Sequence, residues 1–304
     1  MGSEQDRLVF IVPTKDRPEE LRRLLKSLAL QIHPPDEIVI VDGSQPPLSD
    51  IVGSFPRLCL KYVRVFPPST VRQRLAGIEA VSPAATLIGF LDDDAVLEAE
   101  ALERMREFWA KASSEIGGAS FNMANYPKMV ASSLKASALV CGLGLYSREP
   151  GAVLPSGFHT MIGVLDRTRE VRWLPGTAVL WRRRVIEEFR FDPWYEGYGY
   201  LEDLDFSYRV GKKYRLAVVA EARYSHYPAA GGRVNEYGFG LQEVRNRIHF
   251  VRRNQELSIG KCRLALVARA GLSLVLAVRE RRAGYLRRIW GNLAGIAKPF
   301  AGRP

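Results

Sequence analysis

The 304-residue sequence predicts an α/β fold: a Rossmann-like, mixed and mainly parallel sheet flanked by helices, with a helical, basic C-terminal tail. Three observations carry that prediction. Short apolar, β-branched runs alternate with segments of helical periodicity, the pattern of a parallel sheet covered on both faces. Those runs end in polar or acidic clusters, and in such sheets ligands sit beyond the carboxyl ends of the strands. Charge is also segregated. Residues 251–304 hold twelve Lys or Arg against two Glu, a net of +10, whereas the first 250 residues carry a net of +1. A tail so different from the body points to a partner of its own.

Leu8 to Val12 reads as the first strand, ending at Pro13 in the polar turn Thr14-Lys15-Asp16-Arg17-Pro18. Pro18 suits a first helical turn, and Leu21, Leu24, Leu25 and Leu28 recur at helical spacing behind it. His33-Pro34-Pro35 ends that helix. Glu37 to Val41 is a second strand, running into Asp42-Gly43-Ser44, and Leu58 to Val65 a third. Ser69 or Thr70 caps a helix to Ala80. Leu87 to Leu91 is a buried strand that runs straight into Asp92-Asp93-Asp94, with a further helix expected from near Leu97. Residues 117–163, rich in Ser, Gly and Met, read as irregular, substrate-facing loops. Trp173 to Trp181 reads as a strand entered by a turn, followed by Arg182-Arg183-Arg184 and a short helix. The arginine run is read as a solvated helix start, or else as a site for an anionic acceptor. An aromatic loop from Trp194 to Tyr200, whose rings either pack or stack on a ligand, delivers Glu202-Asp203-Leu204-Asp205 at the start of a helix through Val210. Leu216 to Ala220 is a last strand, leading to His226.

Composition sets the bounds. An apolar fraction of 47% and a charged fraction of 25% are ordinary for a globular chain. The three cysteines are widely spaced with no CxxC, which points to a reducing compartment and away from zinc or disulfide scaffolds. No signal-peptide pattern and no apolar run of about 20 residues is present, so a cytoplasmic location is expected, without a spanning helix.

Three adjacent carboxylates repel one another, and each is costly when desolvated without a partner. A hard divalent cation, Mn²⁺ or Mg²⁺, resolves that and keeps positions open for phosphate oxygens. In an extended segment Asp92 and Asp94 point the same way and Asp93 elsewhere. The alternative is an acidic turn that caps a helix. Neither GxGxxG nor GxxxxGK[ST] occurs, so a nucleotide diphosphate would be held through metal.

Together these residues resemble the GT-A family 2 glycosyltransferases, the inverting bacterial enzymes that include rhamnosyltransferases, over roughly residues 8–250. The loop with Pro13, Thr14, Asp16 and Arg17 is similar to the family's opening loop, which lines the nucleotide. Asp42 matches the acid that contacts the base. Gln73-Arg74-Leu75-Ala76-Gly77-Ile78 resembles a helix motif that would put Arg74 near the nucleotide. Asp92, Asp93 and Asp94 match the DxD motif, which implies Asp92 and Asp94 as metal and diphosphate ligands. Glu202-Asp203-x-Asp205 resembles the ED motif, which implies Asp203 as general base, with Asp205 the other candidate and Glu202 an orienting or acceptor-contacting acid. All of these acids also suit a helix N-terminus. His226 falls where relatives supply a further metal ligand; a plain hydrogen-bonded histidine is the other reading.

The motifs also depart from the family. Gln73, Leu75 and Ala76 replace the usual residues of the helix motif, and DGSQPP replaces the common second loop. Gln242 to Asn246 resembles a processive-synthase motif but lacks its Trp.

The resemblance implies non-processive, metal-dependent, inverting transfer from a UDP- or dTDP-sugar to a hydroxyl of a glycan, a lipid-linked acceptor or a cell-surface polysaccharide precursor. It also implies a catalytic domain over 1–250, with a nucleotide-sugar half at 1–115 and an acceptor half at 116–250, and a tail at 251–304. In that tail Tyr285, Leu286, Ile289, Trp290, Leu293 and Ile296 share one helical face. A basic amphipathic segment over 264–298 suits an anionic membrane surface, making the protein peripheral on the inner face of a membrane. Docking on the catalytic domain and a homodimer contact are the alternatives, and no nucleic acid is expected. Two other classes compete. Asp92 to Val96 formally meets the DxDx[TV] motif of haloacid-dehalogenase-like phosphatases, and a non-catalytic nucleotide-sugar-binding domain would keep the same architecture.

Overall fold

The computed structural model describes residues 6–127, 138–142, 146–195, 197–228, 235–280 and 283–297. The chain divides into two compact units, Met1–Lys128 with Ile162–Gly232, and Met129–Met161 with Arg233–Pro304. The boundary expected at 250/251 thus falls inside a helix of the second unit.

The first unit begins β1 (Leu8–Thr14), α1 (Pro18–Ala29), β2 (Glu37–Asp42), α2 (Ser49–Gly53), β3 (Leu60–Arg64), α3 (Thr70–Ala80), β4 (Leu87–Leu91), β5 (Ala95–Leu97), α4 (Ala101–Lys111) and β6 (Ile116–Met123). After α5 (Ala138–Gly142) of the second unit, it resumes with β7 (Arg169–Val171), β8 (Ala178–Arg182), α6 (Arg183–Glu188), α7 (Glu202–Val210) and β9 (Arg215–His226). One sheet has the order β3-β2-β1-β4-β8-β6-β9-β5, with β7 also on β9. From β3 to β4 every pairing is parallel; β8 then enters antiparallel between β4 and β6. Both faces are covered, so β1, β2 and β4 are buried almost throughout, and Leu21, Leu24, Leu25 and Leu28 of α1 pack into the same core.

This order places a switch point between β1 and β4. The chain winds outward from β1 to β2 and β3, then returns to put β4 on the other side of β1. The crevice at the carboxyl ends of those two strands is where such sheets bind ligands, and here it is bordered by the loops carrying Thr14 to Arg17 and Asp92 to Asp94.

Two expectations are corrected. Ala95 to Leu97 does not open a helix. It pairs antiparallel with the end of β9, burying Ala95 and Leu97, and the helix starts only at Ala101. Nor is 117–163 irregular throughout, because Ile116 to Met123 is a buried strand that pairs with both β8 and β9. Its small residues disguise it. At Gly118 a Cβ would lie 2.4 Å from the Trp181 ring, so the strand is glycine-bearing because a large side chain from β8 fills the space.

The β6/β9 pairing also aims β9. Its register shifts between Phe121 and Asn122, skipping three residues of β9, which is a β-bulge. Asn122 holds the bulge by donating Nδ2–H to the Ala220 and Leu165 carbonyls and accepting the Leu165 N–H. Beyond it, Tyr224 to His226 pair with β5, so β9 is a twelve-residue strand whose end reaches the β4–β5 loop.

The second unit contains α8 (Glu236–Arg253), α9 (Ile259–Glu280) and α10 (Ala283–Ala297). α8 and α10 cross closely where Gly240 faces Arg288 and Gly291 faces Tyr237, positions at which a Cβ would overlap the opposite backbone. Glu243, buried in that crossing, accepts a bidentate pair from Arg288 at 2.9 and 3.1 Å, with Arg269 of α9 at 3.9 Å. Among the described residues no helix is long and apolar enough to cross a membrane.

Candidate active site

Asp92 follows β4, and its N–H donates to the Thr177 carbonyl at 2.9 Å, which continues the β4/β8 ladder by one residue. The β5/β9 pairing sets Ala95 opposite His226, and the Tyr227 N–H donates to the Asp94 carbonyl. His226 Nε2 thereby lies 2.9 Å from Asp94 Oδ1. Asn125 fixes the histidine backbone from both sides, accepting its N–H and donating to its carbonyl, each at 2.8 Å. Ligand atoms of Asp92, Asp94 and His226 all lie within 4.8 Å of one another. Two carboxylates and an imidazole converging at that spacing are a donor set that fits Mn²⁺ or Mg²⁺.

Asp93 points away from that cluster, but from a tight turn closed by the Ala95 N–H on the Asp92 carbonyl at 3.1 Å rather than from extended backbone. It accepts Thr14 Oγ1–H at 2.8 Å and an Arg17 N–H at 3.0 Å, and the same Arg17 nitrogen is 3.5 Å from Asp94. Burial pushes the Asp93 carboxyl up to about 7 against the pull of Arg17 and Thr14. Asp92 is raised as well, through desolvation and the Asp94 charge, with Arg74 opposing. Asp16, one of two non-glycine residues with positive φ among those described, ties this loop to the next. Its N–H donates to Ser44 Oγ and its carboxylate accepts the Gln45 N–H. Pro13, in β1, is half-buried just before the loop.

Arg74 occupies the centre. It is buried on α3, and its guanidinium lies over the rings of Phe90 at 5.2 Å and Phe191 at 5.5 Å. It donates to Glu202, lies 3.5 Å from Asp92 and donates to the Gly176 carbonyl at 3.2 Å. A Cβ on Gly176 would come within 2.7 Å of this guanidinium. Burial pushes Glu202 up to about 8, and the Asp203 and Asp92 charges add to that against the opposing pull of Arg74. Arg74 is therefore a strut between the acid cluster after β4 and the start of α7, not a group presented to a ligand.

The two candidate bases separate at α7. Asp205 is fully buried and paired with Arg209 at 3.0 Å, the geometry of a helix-internal ion pair. Asp203 is half-buried. Its Oδ2 accepts the Gly176 N–H at 3.1 Å and its Oδ1 the Leu204 N–H at 2.8 Å. That leaves it lone pairs to accept a further proton donor. The loop that delivers these acids is bent by Gly197 and Gly199 in the left-handed region, and Leu201 is held there too at φ 72°. For a branched residue that conformation is strained, and strain of this kind collects at functional sites. Of the loop's aromatics, Tyr195 is buried in packing and Tyr198 is exposed.

Three sequence-based assignments take a different form. Asp42 is wholly buried at the end of β2, where it accepts the Ser44 and Leu48 N–H groups, Tyr62 O–H at 2.5 Å and Arg64 at 2.8 Å. That accounts for its lone pairs, so it organises the β2 loop from within. Gln73, where the family motif has another residue, clamps the carbonyls of Thr14 and Val41 and so ties the ends of β1 and β2 together. Arg182, Arg183 and Arg184 donate to backbone carbonyls, at Ile116 and Ala112, at Ala85 and Ser82, and at Ser114 respectively; they brace loops. Asn125, Phe191 and Thr177 had no signal in the sequence, because the roles of Asn125 and Thr177 arise from how the strand ends pair and that of Phe191 from packing under Arg74.

Residues 9–130 match the family described as glycosyl transferase family 2. That match covers less than half of the chain. The matched segment spans the strands, loops and acid cluster of the switch point. No curated protein matches the sequence significantly. Among solved structures, the chain resembles S. aureus TarS with a TM-score of 0.54 at 17% identity, covering 86% of this chain and 42% of that one, so it spans less than half of that protein's length. It resembles TarS 1–349 in complex with UDP-GlcNAc with a TM-score of 0.56 at 18% identity, over 92% of this chain and 78% of that one. It also resembles the mannosyltransferase PcManGT from Pyrobaculum calidifontis, in complex with GDP-Man and Mn²⁺, with a TM-score of 0.57 at 14% identity, over 97% of this chain and 88% of that one. At such identities these structures establish the shared GT-A fold.

Proposed function

We propose that this glycosyltransferase moves a sugar from a UDP- or dTDP-linked donor to an acceptor hydroxyl, with inversion, in a metal-dependent and non-processive reaction. The observation that carries the reading is the joint placement of Asp92, Asp94 and His226 with Asp203, braced through Arg74 and Gly176. A divalent cation bound there supplies Lewis-acid stabilisation of the leaving diphosphate. Asp92, Asp94 and His226 would hold it. Arg17, about a quarter exposed and fixed by Asp93, faces the same side and is placed to meet phosphate oxygens.

Asp203 accepts the proton of the attacking hydroxyl, a role that typically contributes ~10²–10⁴-fold. Glu202, held by Arg74, fixes the turn from which Asp203 projects. Attack assisted by one base, in line with the departing diphosphate, inverts the anomeric centre. Asp42 acts on the nucleotide pocket through the loop it organises. The neighbours' complexes with UDP-GlcNAc and GDP-Man support a nucleotide-sugar donor, and the Mn²⁺ in the latter supports the metal. A glycan or lipid-linked polysaccharide precursor is the acceptor class we favour. The phosphatase reading that a DxDx[TV] string allows is not what the family match describes.

Calorimetric titration of UDP, dTDP, GDP and ADP, each with and without Mn²⁺, tests the donor site. One nucleotide should bind only with metal, and Asp94→Ala should abolish that binding. If no nucleotide binds under any metal, the donor assignment is wrong.

A further inference from the structure

α9 is apolar on two sides, which one packed helix does not require. Its inner side carries Cys262, Ala265, Leu266, Ala270 and Ala277, all buried. Its outer side carries Leu264, Val267, Leu274, Val275 and Val278, exposed by between 51% and 75%. At 100° per residue these five fall within a sector of about 100°, with Gly271 at its centre. No charge interrupts the strip. Exposed Arg263 borders it on one edge, and exposed Lys261 and Arg279 on the other. α10 adds Leu286, Trp290 and Leu293 at helical spacing, with Trp290 68% exposed and Arg287 beside it. From 257 to 297 the sequence contains eight Lys or Arg and a single acid, Glu280. Arg269 and Arg288 are turned inward to Glu243, whereas Lys261, Arg263, Arg279 and Arg287 are exposed.

We propose that this face docks on an anionic phospholipid surface, with α9 lying in the interface plane. The strip would enter the headgroup and acyl boundary, with Lys261, Arg263 and Arg279 spread toward lipid phosphates and Trp290 at the interface depth that suits its ring. Charge selects this occupant over a second copy of the chain. Two strips packed about a two-fold axis would bring the arginine and lysine borders of both copies together, with no carboxylate among them to offset the repulsion. The inference stands apart from the identity of the sugar donor.

Co-sedimentation of the full chain with phosphatidylcholine vesicles, with and without phosphatidylglycerol, tests it. The wild type should bind the phosphatidylglycerol vesicles at least about tenfold better, and each border charge should contribute roughly fivefold. The pair Val267→Asp and Val278→Asp, both at exposed positions, should reduce binding by at least about tenfold without lowering the melting temperature. The pair Lys261→Glu and Arg263→Glu should do the same, and so should raised salt. Three results overturn the proposal: no preference for anionic vesicles, binding indifferent to the two aspartates, or a sedimentation-velocity dimer that those aspartates dissociate.

Discussion

Replacing Arg74 by Met removes the strut's charge while keeping much of its volume. The wild-type pair is nearly dry, with side-chain exposures of 3% for Arg74 and 6% for Glu202. Above pH 8, where Glu202 is ionised beside Arg74, breaking such a pair from one side strands a buried carboxylate or forces its protonation, at a cost of about 3–5 kcal/mol. In a domain of this size that lowers the melting temperature by roughly 6–20 °C. The double variant Arg74→Met/Glu202→Gln removes the stranded charge as well. It should therefore be more stable than the sum of the two single variants, with a coupling of about 1–3 kcal/mol. Urea unfolding followed by circular dichroism gives all four corners of the cycle. Activity should not recover in the double variant, because the Gly176 carbonyl and Asp92 have lost their common partner. A loss below about 1 kcal/mol for Arg74→Met, or strict additivity in the cycle, would refute the strut.

Other expectations follow from single contacts. His226→Ala should weaken Mn²⁺ binding by at least about tenfold in calorimetry while leaving the fold intact, since Asp92 and Asp94 remain; unchanged affinity would remove His226 from the ligand set. Gly176→Ala should displace the Arg74 guanidinium and lower stability by about 1–3 kcal/mol, measured by thermal unfolding, because the added methyl meets a group fixed on three sides. Arg288 and Arg269 hold the Glu243 carboxyl below its ordinary 4.5 although burial pushes it up, so its share of stability is fully present above that value and is lost as pH falls through the lower folded value. Arg288→Met should flatten the acid limb of the stability curve; a limb unchanged by that substitution would rule out the linkage.

The parallel half of the sheet was legible because each strand is an apolar run and α1 shows its leucine face plainly. Chemistry was legible where it sits at strand ends: Asp92 and Asp94 do converge, although a turn closed by the Ala95 N–H on the Asp92 carbonyl brings them together, not the expected extended backbone. What escaped depends on tertiary partners. β6 reads as loop because Gly117, Gly118 and Ser120 carry no apolar signal, yet Tyr214 and Trp181 fill the space beside those glycines. The reach of β9 to His226 depends on a bulge held by Asn122, which no periodicity reports. Arg74 and Asp42 have the residue types of ligand contacts, but both are buried and bond to groups of the protein itself. The preference for Asp203 over Asp205 rests on a motif alone in the sequence, whereas in the structure α7 buries Asp205 against Arg209 and leaves Asp203 half-buried.

Proton NMR of the sugar released on slow hydrolysis of the preferred UDP- or dTDP-sugar, with Mn²⁺ and before mutarotation, tests the transfer chemistry most directly. The anomer first formed should be inverted relative to the donor, and Asp203→Asn should slow its appearance by ~10²–10⁴-fold with nucleotide affinity unchanged. A retained anomer, or an Asp203→Asn variant as fast as wild type, would contradict the assignment of Asp203 as the base of an inverting transfer.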